Sequence, residues 1–263
     1  STAADPKATR RAVVLGGSLA GLLTARVLAD HVDEVVVVDR DDLDTPLDAP
    51  RRGVPQSGHT HGLLVRGAEA MESIVPGLTE AVCGRGGQSA DMMSRSRWIL
   101  QGNELLRGDS GLIGMLGSRV LLESEVRRHV ADNPKVRFLG RHDIVGLLTS
   151  EDRSTVTGAR VAPRGTADHQ PIDLAAGLVV DATGRGSRAG VWMRELGYPA
   201  PEVTTVDAGV SYVTRLFEAG PGILDDLDAD VVGTRPPNGR SGVALRVEGG
   251  RWTVTLAGQN GEE

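Results

Sequence analysis

Residues 11–40, RAVVLGGSLAGLLTARVLADHVDEVVVVDR, restrict the possible folds of this chain more than any other stretch. An apolar run from Ala12 to Leu15 stops at Gly16-Gly17, and Leu19, Leu22, Leu23 and Val27 then recur at helical spacing. A second apolar run, Val35 to Val38, ends in Asp39. Strand, glycine turn, helix and strand in that order make a βαβ unit suited to a dinucleotide. Gly16, Gly17, Ser18, Leu19, Ala20 and Gly21 form the turn and the helix start. Glycine there lets the backbone turn tightly and approach a pyrophosphate, and the helix N-terminus offers unpaired N–H groups with partial positive charge. Ser18 takes the middle place of the G-x-G-x-x-G pattern, small enough to admit a phosphate and able to donate to it. Asp39, at the tip of the second strand, is placed to accept hydrogen bonds from ribose hydroxyls. A turn that merely packs well explains the glycines but gives Asp39 no role. Arg40 reads either as a residue in solvent or along an adenine, or as a grip on a 2′-phosphate.

The length of 263 residues suits one large or two modest domains. A net charge of −6 without a basic block argues against a nucleic-acid partner, and 3% aromatic residues are too few for a base-stacking platform. Cys83 is the single cysteine, which excludes an internal disulfide and a thiolate metal cluster and makes a reducing, cytoplasmic setting the expectation. It reads as a small buried apolar group. No apolar stretch approaches the roughly 20 residues of a membrane-spanning helix. The polar N-terminus lacks the apolar core of a signal peptide, and residues 1–10 read as a disordered tail.

Beyond Asp39 comes an acidic, proline-bearing loop and then RRGVPQSGHTHGLL, Arg51 to Leu64. Leu63, Leu64, Gly67, Ala68, Met71, Ile74 and Val75 predict a helix closed by Pro76-Gly77, and 79–107 reads as irregular structure with short strands. Ser118 is a candidate N-cap for a helix to about Asp132, with Glu123 and Arg127 paired on its wet side. Strands near 143–149, 155–162 and 171–175 read as an antiparallel meander, and Gly177 to Asp181 as a buried strand before a helix to about Leu196. Residues 198–201 read as a linker, 204–217 as a long strand, and 243–247 with 251–257 as a hairpin turning at Gly249-Gly250. In that hairpin Trp252, Val254 and Leu256 face one way. The acidic run Asp225 to Asp230 lacks the glycine and final glutamate of a calcium loop and reads as solvated. His59 and His61 alone do not make a metal site.

The segment LVVDATGRGSR, Leu178 to Arg188, resembles the second flavin fingerprint of the FAD-dependent aromatic hydroxylases and the squalene- and polyene-epoxidase-like flavoproteins, with Asp181, Gly184, Ser187 and Arg188 at the matching places. The loop GVPQSGHTHGLL resembles one that lies beside the flavin in bacterial relatives, where Arg51, Gln56, His59 and His61 are the polar side chains on offer. Arg119 matches an arginine beside the FAD ribityl and phosphate groups. The resemblance covers most of residues 11–217 and implies an α/β fold: a Rossmann-like FAD-binding domain at 11–78 and 108–197, with an inserted β-rich substrate domain at 79–107 and 198–263. A third, Gly-Asp motif typical of these relatives has no match. The chain stops inside the expected substrate sheet, which implies an incomplete substrate domain.

What the resemblance implies is an FAD-dependent monooxygenase that passes one oxygen of O₂, through a C4a-peroxyflavin, to an apolar or aromatic small molecule by epoxidation or hydroxylation. NAD(P)H is the expected electron donor, directly or through a flavin or ferredoxin reductase. The cofactor carries the hard chemistry, which accounts for the absence of a Ser–His–Asp or paired-carboxylate pattern and leaves the catalytic residues unassigned. Three other readings stay open: a flavin-dependent reductase of the geranylgeranyl-reductase kind, an NAD(P)-dependent dehydrogenase, and an FAD-binding protein without turnover.

Overall fold

The computed structural model describes residues 10–44, 49–165, 170–199, 201–218, 220, 222, 224 and 226–259. The expected tail, apart from Arg10, lies outside these residues, as do Ala200 of the expected linker, Asp225 and residues 260–263. Along the chain run β1 (Arg11–Leu15), α1 (Leu19–Leu28), β2 (Glu34–Val38), β3 (Gly62–Leu63), α2 (Val65–Ile74) and α3 (Leu78–Gly84). Then come β4 (Gln88–Asp91), β5 (Ser96–Leu100), β6 (Asn103–Glu104), β7 (Ile113–Leu116), α4 (Arg119–Ala131) and β8 (Val136–Leu139). The meander is β9 (His142–Thr149), β10 (Val156–Pro163) and β11 (Ile172–Ala175), followed by β12 (Leu178–Asp181) and α5 (Ala189–Glu195). Last are β13 (Val210–Glu218), β14 (Ala229–Val232), β15 (Ser241–Val247) and β16 (Arg251–Gln259).

The chain divides into two compact units: residues 1–46, 51–53 and 126–203 form the first, and 47–50, 54–125 and 204–263 the second. The boundary falls within α4. This division by compactness differs from the boundaries expected from sequence in placing 47–50, 54–78 and 108–125 with the second unit and 198–203 with the first.

The first unit is built on a four-stranded parallel sheet in the order β12-β1-β2-β8. Its two central strands, RAVVL and EVVVV, are buried on both faces beyond their first residues, as a parallel sheet between two layers must be. Register places Val13, Leu15, Val36 and Val38 on one face, where Ala159, Val161 and Leu174 of the meander and Trp192 of α5 pack against them. The other face, carrying Val14, receives α1 so closely that a Cβ on Gly21 would meet the Gly16 carbonyl. The antiparallel order β11-β10-β9 matches the meander expected from sequence.

The second unit holds a six-stranded sheet, β13-β16-β15-β14-β5-β6, and a three-stranded one, β3-β7-β4. Leu116 of β7 packs on Ala229 and Leu245 of the larger sheet. Where irregular structure was expected after Pro76-Gly77, the chain forms α3. Two turns carry too few residues for a periodic signal, and α3 is instead held by Leu78 and Val82, both buried, and by Glu72 of α2. Glu72 accepts the Gly77 and Thr79 backbone N–H groups at 2.6 and 2.8 Å. Cys83, expected to be buried, is half-buried.

Three further expectations are corrected. The acidic run is not simply a solvated loop: its last two residues, Ala229 and Asp230, open β14, which pairs in parallel with β5. Asp228, 2% exposed, is gripped by both arms of Arg95 at 2.9 and 3.0 Å and lies 3.4 Å from Arg246, while Asp230 pairs with Arg97. Glu123 and Arg127 are buried rather than on a wet face, and Glu123 pairs with Arg119 at 3.1 Å. The long strand begins at Val210 rather than 204 and forms a sheet edge whose apolar side chains are half-exposed. Register keeps Trp252, Val254 and Leu256 on one face, but Trp252 is buried while Leu256 is exposed.

Candidate nucleotide site

In the first unit the two glycine-bearing turns leave the sheet side by side. β1 and β12 are in register with Leu15 opposite Asp181, and the Ala182 N–H donates to the Leu15 carbonyl at 2.7 Å. The chain then turns at Gly16, where φ is +103°, a conformation L side chains rarely adopt. A Cβ at Gly16 would sit 2.6 Å from the Ala182 carbonyl oxygen, so only hydrogen fits between the turns. Ser18 is extended at the N-cap of α1 and supplies no side-chain cap. Leu19, Ala20 and Gly21 form the first turn, whose N–H groups have no acceptor within the helix. A helix N-terminus beside two close-packed turns is an anion cradle.

Asp39 lies at the tip of β2, as expected, but its carboxylate faces inward. One oxygen accepts the Gly17 N–H at 2.6 Å, and the other accepts the Asp41 N–H at 2.8 Å. Arg51 completes the group: its guanidinium lies 3.5 Å from Asp39 and 3.3 Å from Asp41, and donates to the Gly17 carbonyl at 3.1 Å. The Arg51 side chain is 8% exposed, so these charges are shielded from water. Asp41 also accepts the Gly53 N–H at 2.9 Å, tying the 51–53 segment to the same corner. Arg40 is exposed. Asp41 was not among the residues read from sequence; a carboxylate two residues after Asp39, able to accept from a distant arginine, carried no local pattern.

The second turn is organised in the same manner. Asp181 accepts the Thr183 N–H at 2.9 Å and the Thr183 hydroxyl at 2.6 Å on one oxygen, and the Ser187 hydroxyl at 2.7 Å on the other. Gly184 adopts φ of +65°. Thr183 was passed over in the sequence, although an aspartate followed two residues later by threonine is a recognisable side-chain-to-backbone turn. Structure thus brings together Gly16 to Gly21, Asp39, Arg51, Asp181 and Gly184.

Gln56, His59 and Arg119 belong to the second unit. Gln56 is exposed in the helical turn Pro55–Gly58. Arg119 opens α4 directly after Ser118, whose Oγ accepts the Leu121 N–H at 3.0 Å as the sequence foretold. Far from solvated, the Arg119 side chain is 11% exposed. His61 donates from Nδ1 to the His59 carbonyl at 2.8 Å; burial above all, with the positive charge of Arg119, holds its pKa below the usual histidine value. Among the described residues no group of three or more His, Cys, Asp or Glu side chains is placed to hold a metal, and no helix is long and apolar enough to cross a membrane.

No protein-family profile matches the chain. Protein Rv3254 of Mycobacterium tuberculosis strain H37Rv is 32% identical over 255 residues, which cover 94% of this chain and 53% of that protein. The chain therefore spans about half the length of that curated relative. Among solved structures, PqsL, a probable FAD-dependent monooxygenase from Pseudomonas aeruginosa, superposes with a TM-score of 0.70 at 18% identity, over 96% of this chain and 61% of its own. The p-nitrophenol 4-monooxygenase PnpA of Pseudomonas putida DLL-E4 follows at 0.68 and 17%, over 97% and 59%. The myxobacterial chondrochloren halogenase CndH, an FAD-dependent halogenase, gives 0.63 and 16%, over 95% and 53%. The chain has the fold of these flavoproteins: a Rossmann-like sheet with a β-rich companion.

Proposed function

We propose that this chain binds FAD and belongs to a flavoprotein monooxygenase acting on an apolar or aromatic small molecule. The observation that carries this reading is the abutment of the 16–21 and 181–187 turns at one sheet edge, with room for hydrogen alone at Gly16. Residues 11–78 and 108–197 would serve the cofactor and 79–107 with 198–263 the substrate. The residues present fit the group: the uncapped start of α1 takes the pyrophosphate, and the 181–187 turn offers a glycine-lined flank. Asp39 and Arg51 hold the cradle in shape, leaving the remaining carboxylate lone pairs to a ribose.

When bound, FAD supplies the redox chemistry, delivering one oxygen atom of O₂ to the substrate. This chain's own part is to bind, to orient and to exclude water. NAD(P)H is the proposed electron donor, directly or through a reductase, and the single cysteine suits a cytoplasmic setting. The aromatic chemistry named in p-nitrophenol 4-monooxygenase supports hydroxylation over epoxidation.

Titrating the purified chain with FAD tests the reading. Saturable binding is expected in the wild type and lost in Gly16→Val, whose side chain forces the two turns apart while circular dichroism still shows a folded β-rich second unit. Failure of the folded wild type to bind FAD would overturn it. In the bound form, NAD(P)H oxidation coupled to oxygen consumption and a hydroxylated product separates a monooxygenase from a reductase, which works without air, and from a halogenase, which requires halide.

A further inference from the structure

The second unit contains a hydrogen-bond chain that the flavin reading does not use. Thr214 of β13 and Thr255 of β16 are direct cross-strand partners, with hydroxyl oxygens 2.6 Å apart. Thr60, on the 55–61 loop, brings its hydroxyl to 2.6 Å from that of Thr255. His59, the preceding residue, places Nδ1 2.9 Å from the Thr214 hydroxyl. Its ring stands edge-on to Tyr212, with centroids 4.8 Å apart and planes at 77°, so the imidazole is held in orientation as well as position. Nδ1 and three hydroxyls therefore form one series: His59, Thr214, Thr255, Thr60.

Packing alone does not call for this series. Valine has nearly the shape of threonine, favours a strand at least as well, and carries no polar atom to desolvate. A hydroxyl gives one proton and accepts others, so a row of three has two self-consistent arrangements, all donating away from His59 or all toward it. Reversing the row moves the ring proton between Nδ1 and Nε2 and so exchanges the imidazole tautomer. Among the described residues nothing bonds to Nε2, which leaves that nitrogen to meet a ligand. His61 does not compete: its Nδ1 proton is committed to the His59 carbonyl.

We propose that His59 is a proton-transferring group and that Thr214, Thr255 and Thr60 are its relay. A proton taken at Nε2 from a hydroxyl-bearing ligand or a water is matched by release of the Nδ1 proton to Thr214. Each hydroxyl passes its own proton on as it receives its neighbour's, and half-buried Thr60 gives one to solvent. No electrons move, one proton enters and one leaves, and the reverse run delivers a proton to the ligand. This goes beyond flavin binding and does not depend on it.

The test is ¹⁵N NMR of the imidazole side chains in the full chain without FAD. A single neutral tautomer of His59 is expected, with the ring-proton exchange rate set by the relay. Thr255→Val and Thr60→Val, neither of whose hydroxyls bonds to the His59 ring, should each shift its ring-nitrogen resonances toward a mixed tautomer and slow its exchange severalfold. Thr255→Ser should restore both. Unchanged His59 resonances and exchange in Thr255→Val, with the fold intact by its backbone spectrum, would overturn the relay. Should the valine variants fail to fold, an equal exchange rate in wild type and Thr255→Ala would do the same. FAD titration of the same samples reports separately on the cofactor reading.

Discussion

A hydrogen atom is the largest side chain that position 16 accepts, because φ is +103° and the Ala182 carbonyl closes the space above it. This steric fact is local enough to be written in the sequence as a glycine. The role of Asp39 is not. Its residue type and position at the strand tip suggested a ligand for ribose, yet its oxygens accept Gly17 and Asp41 N–H groups and face Arg51. Asp39→Ala should therefore act on the protein before it acts on a ligand. Two N–H groups lose their acceptor and the buried Arg51 guanidinium loses one of its two neighbouring carboxylates, and chemical denaturation should show a loss of about 3 kcal/mol in the absence of nucleotide. FAD affinity should fall with it. Lower affinity at unchanged stability would return Asp39 to a purely ligand-facing role.

Elements show the same contrast between what is local and what is not. The strands of the parallel sheet and its flanking meander, together with α1, α2 and the capped start of α4, follow from period, turn residues and a serine, all legible over a few residues. α3 is two turns long and depends on Glu72 from its neighbour, so nothing in its own composition announced it. β14 was hidden by Asp230 and the aspartates that precede it. In isolation an acidic run is best left in water; here Arg95, Arg97 of β5 and Arg246 of β15 neutralise it. Asp228→Ala would strand Arg95 and Arg246 around a buried gap and should cost about 3 kcal/mol in denaturant unfolding. Asp226, whose partner Arg107 is also in solvent, should tolerate alanine with no measurable change. Equal effects of the two substitutions would mean that the buried grip does not hold β14 in place.

For the whole molecule the deciding events join distant parts of the chain. β12 returns to lie against β1, and only this pairing sets the two turns beside each other. A chain ending before Leu178 should retain the βαβ sequence signature but expose the β1 edge and uncover Val13 and Leu15. Loss of the cooperative thermal transition and aggregation on concentration are the expected results; a soluble, cooperatively folding product would show that β12 is dispensable. By itself the sequence determined where glycine must stand, where strands and helices begin, and that a nucleotide-shaped βαβ unit opens the chain, since these depend on φ and on contacts within a turn or two. Tertiary structure alone decided which carboxylates face inward, which arginines meet them, and that two threonines from separate strands line up with a histidine from a loop. Those outcomes are pairings between groups far apart in sequence, and no short-range pattern encodes the partner.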